Sequence, residues 1–409
     1  MAQLSVMEKL EILSDAAKYD ASCASSATTK RDSRGGKGLG STTGAGICHS
    51  YVPDGRCISL LKVLLTNFCS FDCVFCINRS SSNVRRARFT VEEVVALTLN
   101  FYRRNYIEGL FLSSGIIRSA DYTMAELVRV AKTLRTEHQF RGYIHLKLIP
   151  GASRELIDEA GLYADRVSIN VELPSEAALA QFAPEKQPVE IRSAMGGLKL
   201  KIEEAKEERS KTKKAPAFSP AGQSTQMIVG ADGASDAAIM KRSALLYGSF
   251  GLKRVYYSAF SPIPDASKQL PLLAPPLMRE HRLYQADWLT RFYGFEVEEI
   301  FGPGEMLDLE IDPKLAWALR HRGRFPVDVN RADRESLLRV PGLGTKSVDR
   351  ILASRRFRQL RLEDVGRLTR SIATIRHFIA AADWRPGASL DSAGLKARLT
   401  PQPQQLALF

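Results

Sequence analysis

Three cysteines, Cys69, Cys73 and Cys76, have a spacing that suits metal chemistry. Three thiolates on one short loop can ligate three irons of a [4Fe–4S] cluster, and the fourth iron is then left to bind a small molecule. Phe75 precedes the third cysteine and can shield one side of such a cluster. The alternatives are a disulfide or a zinc site, and zinc sites usually show paired C-x2-C elements or histidines in register. The pattern favours an iron–sulfur loop.

The other three cysteines, Cys23, Cys48 and Cys57, also lie near the start of the chain, and no cysteine follows Cys76. Because Cys48 and Cys57 flank a short turn, we expect them to approach each other. One hypothesis is a second metal or cluster site on these cysteines, together with His49. Another is a cysteine that returns a hydrogen atom to a substrate radical, and a third is small buried side chains packed near the cluster.

The net charge of +13 and the pI of about 9.5 indicate a polyanionic partner, most commonly nucleic acid. Residues 314–400 carry 19 Lys and Arg against 8 Asp and Glu, so most of the excess lies there. The first 20 residues predict an amphipathic helix rather than a signal peptide. No segment reaches membrane-spanning length. We therefore expect a cytoplasmic protein with reduced thiols.

The middle of the chain alternates between two periodicities. Strand-like runs occur at 59–66, 109–112, 142–149, 166–173, 226–231 and 254–260. Helical runs lie between them, at 91–104, 124–138, 154–160, 175–182 with 189–209, and 235–248. Six β/α units predict a parallel sheet or an incomplete barrel, with an extended loop over 20–56 before it. The cysteine loop follows the first strand, at the edge where such folds build their sites.

The motif C-x3-C-x-aromatic-C on this loop, Cys69, Cys73, Phe75 and Cys76, resembles the radical S-adenosylmethionine (SAM) superfamily over roughly residues 58–265. The resemblance implies an α/β fold with a partial (β/α)6 TIM-like barrel, whose [4Fe–4S] cluster binds SAM through its open iron. One electron, from a donor such as flavodoxin or ferredoxin, then cleaves SAM to a 5′-deoxyadenosyl radical that abstracts hydrogen from the substrate.

The resemblance also implies positions for SAM. The turn after the second predicted strand stands where the family has a Gly-rich turn for the SAM amino group, although this sequence lacks the usual acidic residue. Polar residues on one face of the fourth predicted strand suit the ribose hydroxyls, because strand side chains alternate. A polar barrel interior filled by water is the alternative. The SAM candidates are Ser113, Ser114, Gly115, Ser168, Asn170 and Glu172.

Near the C-terminus, residues 327–351 resemble a helix–hairpin–helix motif in a small all-α domain. Its turn is Pro341-Gly342-Leu343-Gly344, whose glycines let the backbone approach a phosphate closely. The next helix begins at the turn and directs its free N–H groups at the same anion, while Lys346 and Arg350 add charge. Such contacts position DNA without reading sequence. An ordinary αα-turn is the alternative.

A second helical pair over 360–378 has the same pattern without the Gly-x-Gly turn, and we expect it to be a packing partner. Arg85, Arg86 and Arg88 follow the cysteine loop. They either guide phosphates toward the barrel mouth or belong to a solvated loop.

The last five residues resemble the bacterial sliding-clamp-binding peptide Gln-Leu-x-Leu-Phe. The residues of this chain that match the motif are Gln405, Leu406, Leu408 and Phe409. A flexible tail would present two apolar side chains to a pocket and one amide for a hydrogen bond. A tail that folds back on its own core is the alternative.

The combination of residues 18–26 (KYDASCASS), the barrel, residues 312–321 (DPKLAWALRH) and the hairpin resembles the family of DNA modification and repair radical SAM proteins. Members are thought to work beside a uracil-DNA-glycosylase-like partner. An RNA-modifying radical SAM enzyme and a non-catalytic iron–sulfur DNA-binding adaptor stay open. We predict an N-terminal extension (1–57), a barrel core (58–276), a helical connector (277–313), a DNA-binding domain (314–385) and a flexible tail (386–409).

Overall fold

The computed structural model describes residues 4–17, 46–51, 57–264 and 267–400 of the chain. The strands are β1 (Ile47–Tyr51), β2 (Cys57–Leu64), β3 (Gly109–Ser113), β4 (Tyr143–Lys147), β5 (Arg166–Ser168), β6 (Gln223–Val229), β7 (Arg254–Ala259), β8 (Val327–Asp328) and β9 (Ile379–Ala380). The helices are α1 (Val6–Ala17), α2 (Val91–Arg103), α3 (Ala120–Thr136), α4 (Arg154–Tyr163), α5 (Glu176–Phe182), α6 (Pro188–Lys211), α7 (Asp236–Phe250), α8 (Leu277–Phe292), α9 (Val297–Ile300), α10 (Pro313–Arg320), α11 (Arg334–Arg339), α12 (Thr345–Ser354), α13 (Leu362–Leu368), α14 (Ile372–Ile375) and α15 (Leu395–Leu399).

The seven strands β1 to β7 form one sheet in chain order, curled into a half-barrel. Neighbours from β2 to β7 pair in parallel, which confirms the predicted partial barrel. The prediction of a loop throughout 20–56 is wrong for β1, because its backbone pairs antiparallel with β2 from Ile47 opposite Leu61 to Tyr51 opposite Cys57. In the part of the chain that is described, no helix combines the length and the hydrophobicity needed to cross a membrane.

The two faces of the sheet differ in character. One face carries aliphatic side chains that are fully buried, as expected where helices cover a parallel sheet: Leu61, Val63, Leu110, Leu112, Ile144, Leu146 and Val167. The alternate positions, on the concave face, carry apolar side chains such as Leu60 and Phe111 together with polar and charged ones. Along the paired register the polar ones include Lys62, His145, Arg166, Ser168 and Ser224, and all five are buried. The concave face therefore buries polar and charged groups among apolar ones.

Helix starts are fixed by capping side chains close to the strand ends. The Thr90 hydroxyl accepts the Glu93 N–H at 3.2 Å, and the Glu93 carboxylate accepts the Thr90 N–H at 2.8 Å, which together begin α2. The Ser119 hydroxyl accepts the Tyr122 N–H at 3.1 Å at the start of α3. These caps set where each strand-to-helix loop ends.

The chain divides into two compact units, 1–233 with 245–275, and 234–244 with 276–409. In the second unit, Asp236 bonds Arg279 at 2.7 Å and the Leu307 N–H at 3.0 Å, which ties the start of α7 to the C-terminal residues. The prediction that the C-terminal domain is all-α is wrong in one detail. Val327 and Asp328 pair in parallel with Ile379 and Ala380, which joins the two ends of the helical region.

Lys314, in the first turn of α10, is buried beneath the turn between α11 and α12. Its Nζ donates a hydrogen bond of 2.5 Å to the Leu343 carbonyl and lies 4.7 Å from the centre of the Tyr293 ring. Burial lowers the pKa of Lys314 from 10.5 to about 7, because desolvation disfavours the ammonium. The hairpin turn is thus held by a hydrogen bond from the Lys314 amine, whose pKa lies near neutral pH.

This pKa gives the second unit a pH-dependent stability. Below pH 7 both states hold the proton, and above pH 10.5 neither does; between these values the unfolded chain binds more protons, so stability rises with pH. We expect the melting midpoint to rise about 5 °C more between pH 7 and pH 9 in the natural protein than in Lys314→Met. Calorimetry at several pH values measures this, with exposed Lys346→Met as the control. Equal slopes in Lys314→Met and the natural protein would contradict it.

Candidate active site

The loop between β2 and α2 closes on itself at the carboxyl edge of the sheet. The Phe89 N–H bonds the Leu65 carbonyl at 2.9 Å, and the Thr66 hydroxyl bonds the Ala87 carbonyl at 2.9 Å. The Asn67 amide bonds the backbone of Arg85 and Ala87, each at 2.8 Å. The chain therefore leaves and re-enters the sheet at one point, with the cysteines on the excursion between.

Arg86 holds the interior of this loop. Its guanidinium donates to the carbonyls of Asn78 at 2.8 Å, Arg79 at 2.6 Å and Ser82 at 2.9 Å, and also to the Asn67 carbonyl. It also interacts electrostatically with Cys69 and Cys76. A planar, permanently charged group with five N–H donors suits both tasks.

The suggestion that these loop arginines guide phosphates is wrong for two of the three. Arg86 is engaged with the loop backbone, and Arg88 bonds Tyr122 at 2.8 Å and Glu126 at 3.2 Å. Arg85 is exposed. A phosphate-guiding role stays a prediction for Arg85 alone.

The three loop cysteines have surroundings that suit thiolate ligands. The Cys69 sulfur accepts the Ile116 N–H, and the Cys76 sulfur accepts the Asn78 N–H, both at 3.4 Å. Burial raises the pKa of Cys76, and raises that of Cys73 to about 12. Without metal the Cys73 and Cys76 thiols are protonated at neutral pH, so ligation by them must release protons.

The described residues contain no group of three or more His, Cys, Asp and Glu side chains that converges on one metal ion. Three thiolates on one loop are the donors that a [4Fe–4S] cluster takes, one for each of three irons.

Gly115 lets the turn after β3 lie against the cysteine loop. A Cβ atom at this position would lie 2.2 Å from the Phe68 carbonyl oxygen and 3.2 Å from the Cys69 Cβ. The Gly115 N–H bonds the Thr66 carbonyl at 2.8 Å. Close packing of two backbones thus explains this glycine, beside the SAM-binding role that the resemblance implies.

Ser113, at the end of β3, carries a buried hydroxyl without a hydrogen-bond partner among the described residues. A buried polar atom of this kind usually meets water or a ligand. Its position on the strand that leads to Gly115 fits a polar group of SAM. Ser114 differs, because its hydroxyl bonds the neighbouring Gly115 carbonyl at 2.6 Å.

The connection between α5 and α6 also reaches the cysteine loop. The Phe182 carbonyl accepts the Val74 N–H at 2.7 Å, and the Glu185 carboxylate accepts the Asp72 N–H at 2.9 Å. Lys186 interacts electrostatically with Cys73 and Cys76, and its positive charge opposes the rise in their pKa. Sequence reasoning missed these residues; the usable signal was their place after the fourth parallel strand, at the edge that carries the cysteines.

Glu172 and Lys186 form the buried ion pair of this site. Burial acts to lower the pKa of Lys186, but the Glu172 carboxylate outweighs it and the pKa is raised, so the amine stays charged. The Asn170 amide bonds the Glu172 carboxylate and the Gln226 side chain, both at 3.3 Å. A network of this kind orients the Glu172 carboxylate.

The fourth parallel strand ends earlier than predicted. The regular strand β5 covers three residues, because Glu172 adopts a positive φ of 60° and only its bridge to Met227 continues the pairing. Ser168 bonds His145 at 3.0 Å. Of the three predicted ribose-binding residues, Asn170 and Glu172 share a network, whereas Ser168 bonds His145 of the preceding strand β4.

Phe75 is half-buried and packs against the apolar cluster of Leu173, Phe182, Ala231, Phe260, Ile263 and Leu270. Val74 and Ile77 pack against the same cluster. These contacts anchor the middle of the cysteine motif on the apolar residues that follow the sheet. An apolar wall on one side of the motif lowers the local polarity around a cluster.

The expectation that Cys48 and Cys57 approach each other is wrong. In the antiparallel register Cys48 lies opposite Leu60, three residues from Cys57, so the two cysteines are on opposite faces and about 10 Å apart along the strand. Cys48 is buried beside Ile58 and Phe111, as a small core residue would be. Cys57 and His49 are exposed. Cys23 lies outside the described residues.

The predicted hairpin lies in the second unit as the turn between α11 and α12. Gly342 has a φ of 84°, and a Cβ there would lie 2.9 Å from the Ile375 Cγ1, so only glycine fits. Pro341 is buried, while Lys346 and Arg350 are exposed. The predicted packing role of the second helical pair agrees with the contact of Gly342 with Ile375. Gln405, Leu406, Leu408 and Phe409 lie outside the described residues.

Residues 63–207, which include the cysteine loop and the Glu172–Lys186 pair, match the sequence profile of the Radical SAM superfamily. These residues form a radical SAM domain. Members of this superfamily are enzymes that use a [4Fe–4S] cluster and SAM. No curated protein matches the chain by sequence.

Solved structures of radical SAM enzymes are similar to part of the chain at low identity. HydG from Carboxydothermus hydrogenoformans, a maturase of the FeFe-hydrogenase, is 15% identical with a TM-score of 0.40, over 54% of this chain and 48% of that one. The methyltransferase TsrM from Kitasatospora setae is 12% identical with a TM-score of 0.35, over 55% and 36%. The chain thus spans less than half the length of these proteins.

In the radical SAM domain, we expect Arg86 to be required for the cluster because it holds the loop backbone. Arg86→Gln should lower iron and sulfide per chain after anaerobic reconstitution to below half. Exposed Arg85→Gln is the matched control and should load normally. Full loading of Arg86→Gln would contradict this role of Arg86.

Removing one partner of the Glu172–Lys186 pair should lower the free energy of unfolding far more than removing both partners. Lys186→Met leaves the buried carboxylate without its ammonium, and we expect it to lower the free energy of unfolding by about 3 kcal/mol. Adding Glu172→Gln should recover most of that loss. Urea unfolding of the apo chain, with the two single variants and the double variant, measures this double-mutant cycle. Additive effects of the two changes would contradict the pairing.

Proposed function

We propose that this protein is a radical SAM enzyme that modifies or repairs a nucleotide in DNA. The observation that carries the proposal is the joining of a radical SAM domain to a basic unit with an exposed Gly-x-Gly hairpin. The cluster and SAM, when bound, supply the radical chemistry. The residues of this chain bind, orient and enclose the reacting partners.

The hairpin supports backbone binding. Gly344 comes directly before α12 and has no side chain to cap the helix. The Thr345 N–H bonds the Tyr293 hydroxyl, so the N–H groups of the residues after it, beside Lys346, are the ones offered to an anion. A phosphate oxygen is the natural ligand of such groups, since the helix dipole favours an anion there. Arg350 lies one turn further along α12, on the same side. These groups bind a backbone without reading bases.

The concave face of the sheet supports an anionic substrate. Cationic side chains of four of the parallel strands, β2, β4, β5 and β7, lie on this face at Lys62, Lys147, Arg166 and Arg254. Arg166 also bonds the Tyr256 hydroxyl at 3.3 Å. A concave face with this charge suits a phosphate-bearing group better than a neutral one.

The residues nearest the chemistry have defined tasks in this proposal. Cys69, Cys73 and Cys76 hold the cluster, and Ser113 and Glu172 orient polar groups of SAM. Phe75 and its apolar neighbours exclude water from one side. A base inside a duplex must be flipped or unpaired to reach this position. The sliding clamp, a glycosylase-like partner and the electron donor stay predictions.

Two experiments separate this function from its alternatives. Anaerobic incubation with SAM, reductant and damaged DNA, followed by mass spectrometry of the nucleosides, tests the reaction itself. Absence of 5′-deoxyadenosine from a protein with a full cluster would favour a structural cluster in an adaptor. Tighter binding of structured RNA than of duplex DNA, at one stated salt concentration, would favour an RNA substrate.

The hairpin makes a quantitative prediction about salt. A double substitution, Lys346→Ala with Arg350→Ala, should reduce the slope of log affinity for duplex DNA against log salt by about 2, because two phosphate contacts are lost. Fluorescence anisotropy at several salt concentrations measures the slope. The control is Lys213→Ala with Lys214→Ala, which removes two exposed lysines outside the hairpin. Identical slopes in all three proteins would overturn the hairpin's role.

A further inference from the structure

A cleft of about 370 Å³ opens at the far end of α12 from the hairpin. Its floor is formed by Leu360 and Leu368, and Phe357 stands at its rim with 88% of its surface exposed. A phenylalanine with its ring in water is unfavourable for an isolated fold. The volume is ample for a nucleobase, and the rim ring offers a stacking surface.

The cleft is continuous with the hairpin along one face of α12. At about 100° per residue, Lys346, Arg350, Ala353 and Phe357 fall within roughly 60° of one another. All four are exposed, whereas Val348 and Ile351 on the opposite face are buried. The turn hydrogen bonds at residues 355 and 357 continue the helix to the ring. From the hairpin to Phe357 this face is about 18 Å long.

The polar groups of the cleft suit a base edge and a backbone together. Arg358 pairs with Asp364 at 2.5 Å, and the Asp364 side chain is 14% exposed. The other Asp364 oxygen accepts the Arg361 N–H at 3.0 Å, so the carboxylate holds the Arg358 guanidinium at the cleft, where its remaining N–H groups can donate to a base edge. Arg367 at the mouth is 72% exposed and paired with Glu363, so it can turn toward a phosphate.

We infer that this cleft binds an unpaired nucleotide of DNA, with its base stacked on Phe357 and its backbone running along α12 to the hairpin. The inference rests on the proposed function, because it needs nucleic acid as the partner. It adds a second element of recognition: the hairpin grips phosphates of any strand, whereas the cleft selects a strand that has an unstacked base. A protein partner with an apolar side chain in the cleft is the competing occupant.

The test compares a single-stranded oligodeoxynucleotide with the duplex of the same sequence, at one salt concentration, on the full chain. Phe357→Ala should weaken single-strand binding about tenfold, as loss of one stacked base predicts, and leave duplex binding within twofold. Phe357→Trp should retain single-strand binding. Phe292→Ala removes another exposed aromatic ring of the same unit and serves as the control. Thermal melting shows whether each variant is folded.

The outcomes separate the inference from the function. Equal single-strand affinity of Phe357→Ala and the natural protein, with duplex binding intact, overturns the cleft and leaves the proposed function standing. An equal loss of affinity for single-stranded and duplex DNA in Phe357→Ala also overturns it, as does failure of Phe357→Trp to bind the single strand. If the natural protein binds neither single-stranded nor duplex DNA, the proposed function and the inference fail together. Quenching of a 2-aminopurine probe by the natural protein but not by Phe357→Ala is the expected second readout.

Discussion

The structure of the first unit depends on one constraint: the concave face of the sheet buries charge. A parallel sheet normally packs apolar residues on both faces, whereas here the concave face buries polar and charged side chains among its apolar ones. Lys62, His145 and Arg166 are each less than one-tenth exposed. Charges in such surroundings must be compensated, which is why the Glu172–Lys186 pair, the Asn170 amide and Tyr256 lie where they do.

The same constraint links the sheet to the cysteine loop. Lys186 compensates Glu172 on one side and acts on the cysteine sulfurs on the other. The charges on the concave face and the charges on the cysteine sulfurs are therefore coupled through Lys186. A change at Glu172 is felt at Cys73 without any contact between the two side chains being needed.

The sequence predicted the features that local spacing encodes and missed those that depend on the path of a loop. The cysteine motif, the parallel strands and the hairpin glycines can each be recognised from a few consecutive residues. β1 was missed because a run rich in serine and glycine gives no strand signal, and its pairing with β2 is decided by contacts. Arg86 was misread because nothing in the sequence tells a guanidinium that binds carbonyls from one that awaits a phosphate. Lys186 was missed because it lies more than one hundred residues from the cysteines it influences.

The closed form of the cysteine loop has a consequence for assembly. Its ends are joined through Thr66 and Phe89, and Arg86 fastens its interior, all with the backbone of the chain itself. Little conformational entropy is then left for the metal to remove, unlike in small zinc domains that fold only around their ion. We therefore expect the loop to hold its shape in the apo chain, before a cluster is inserted.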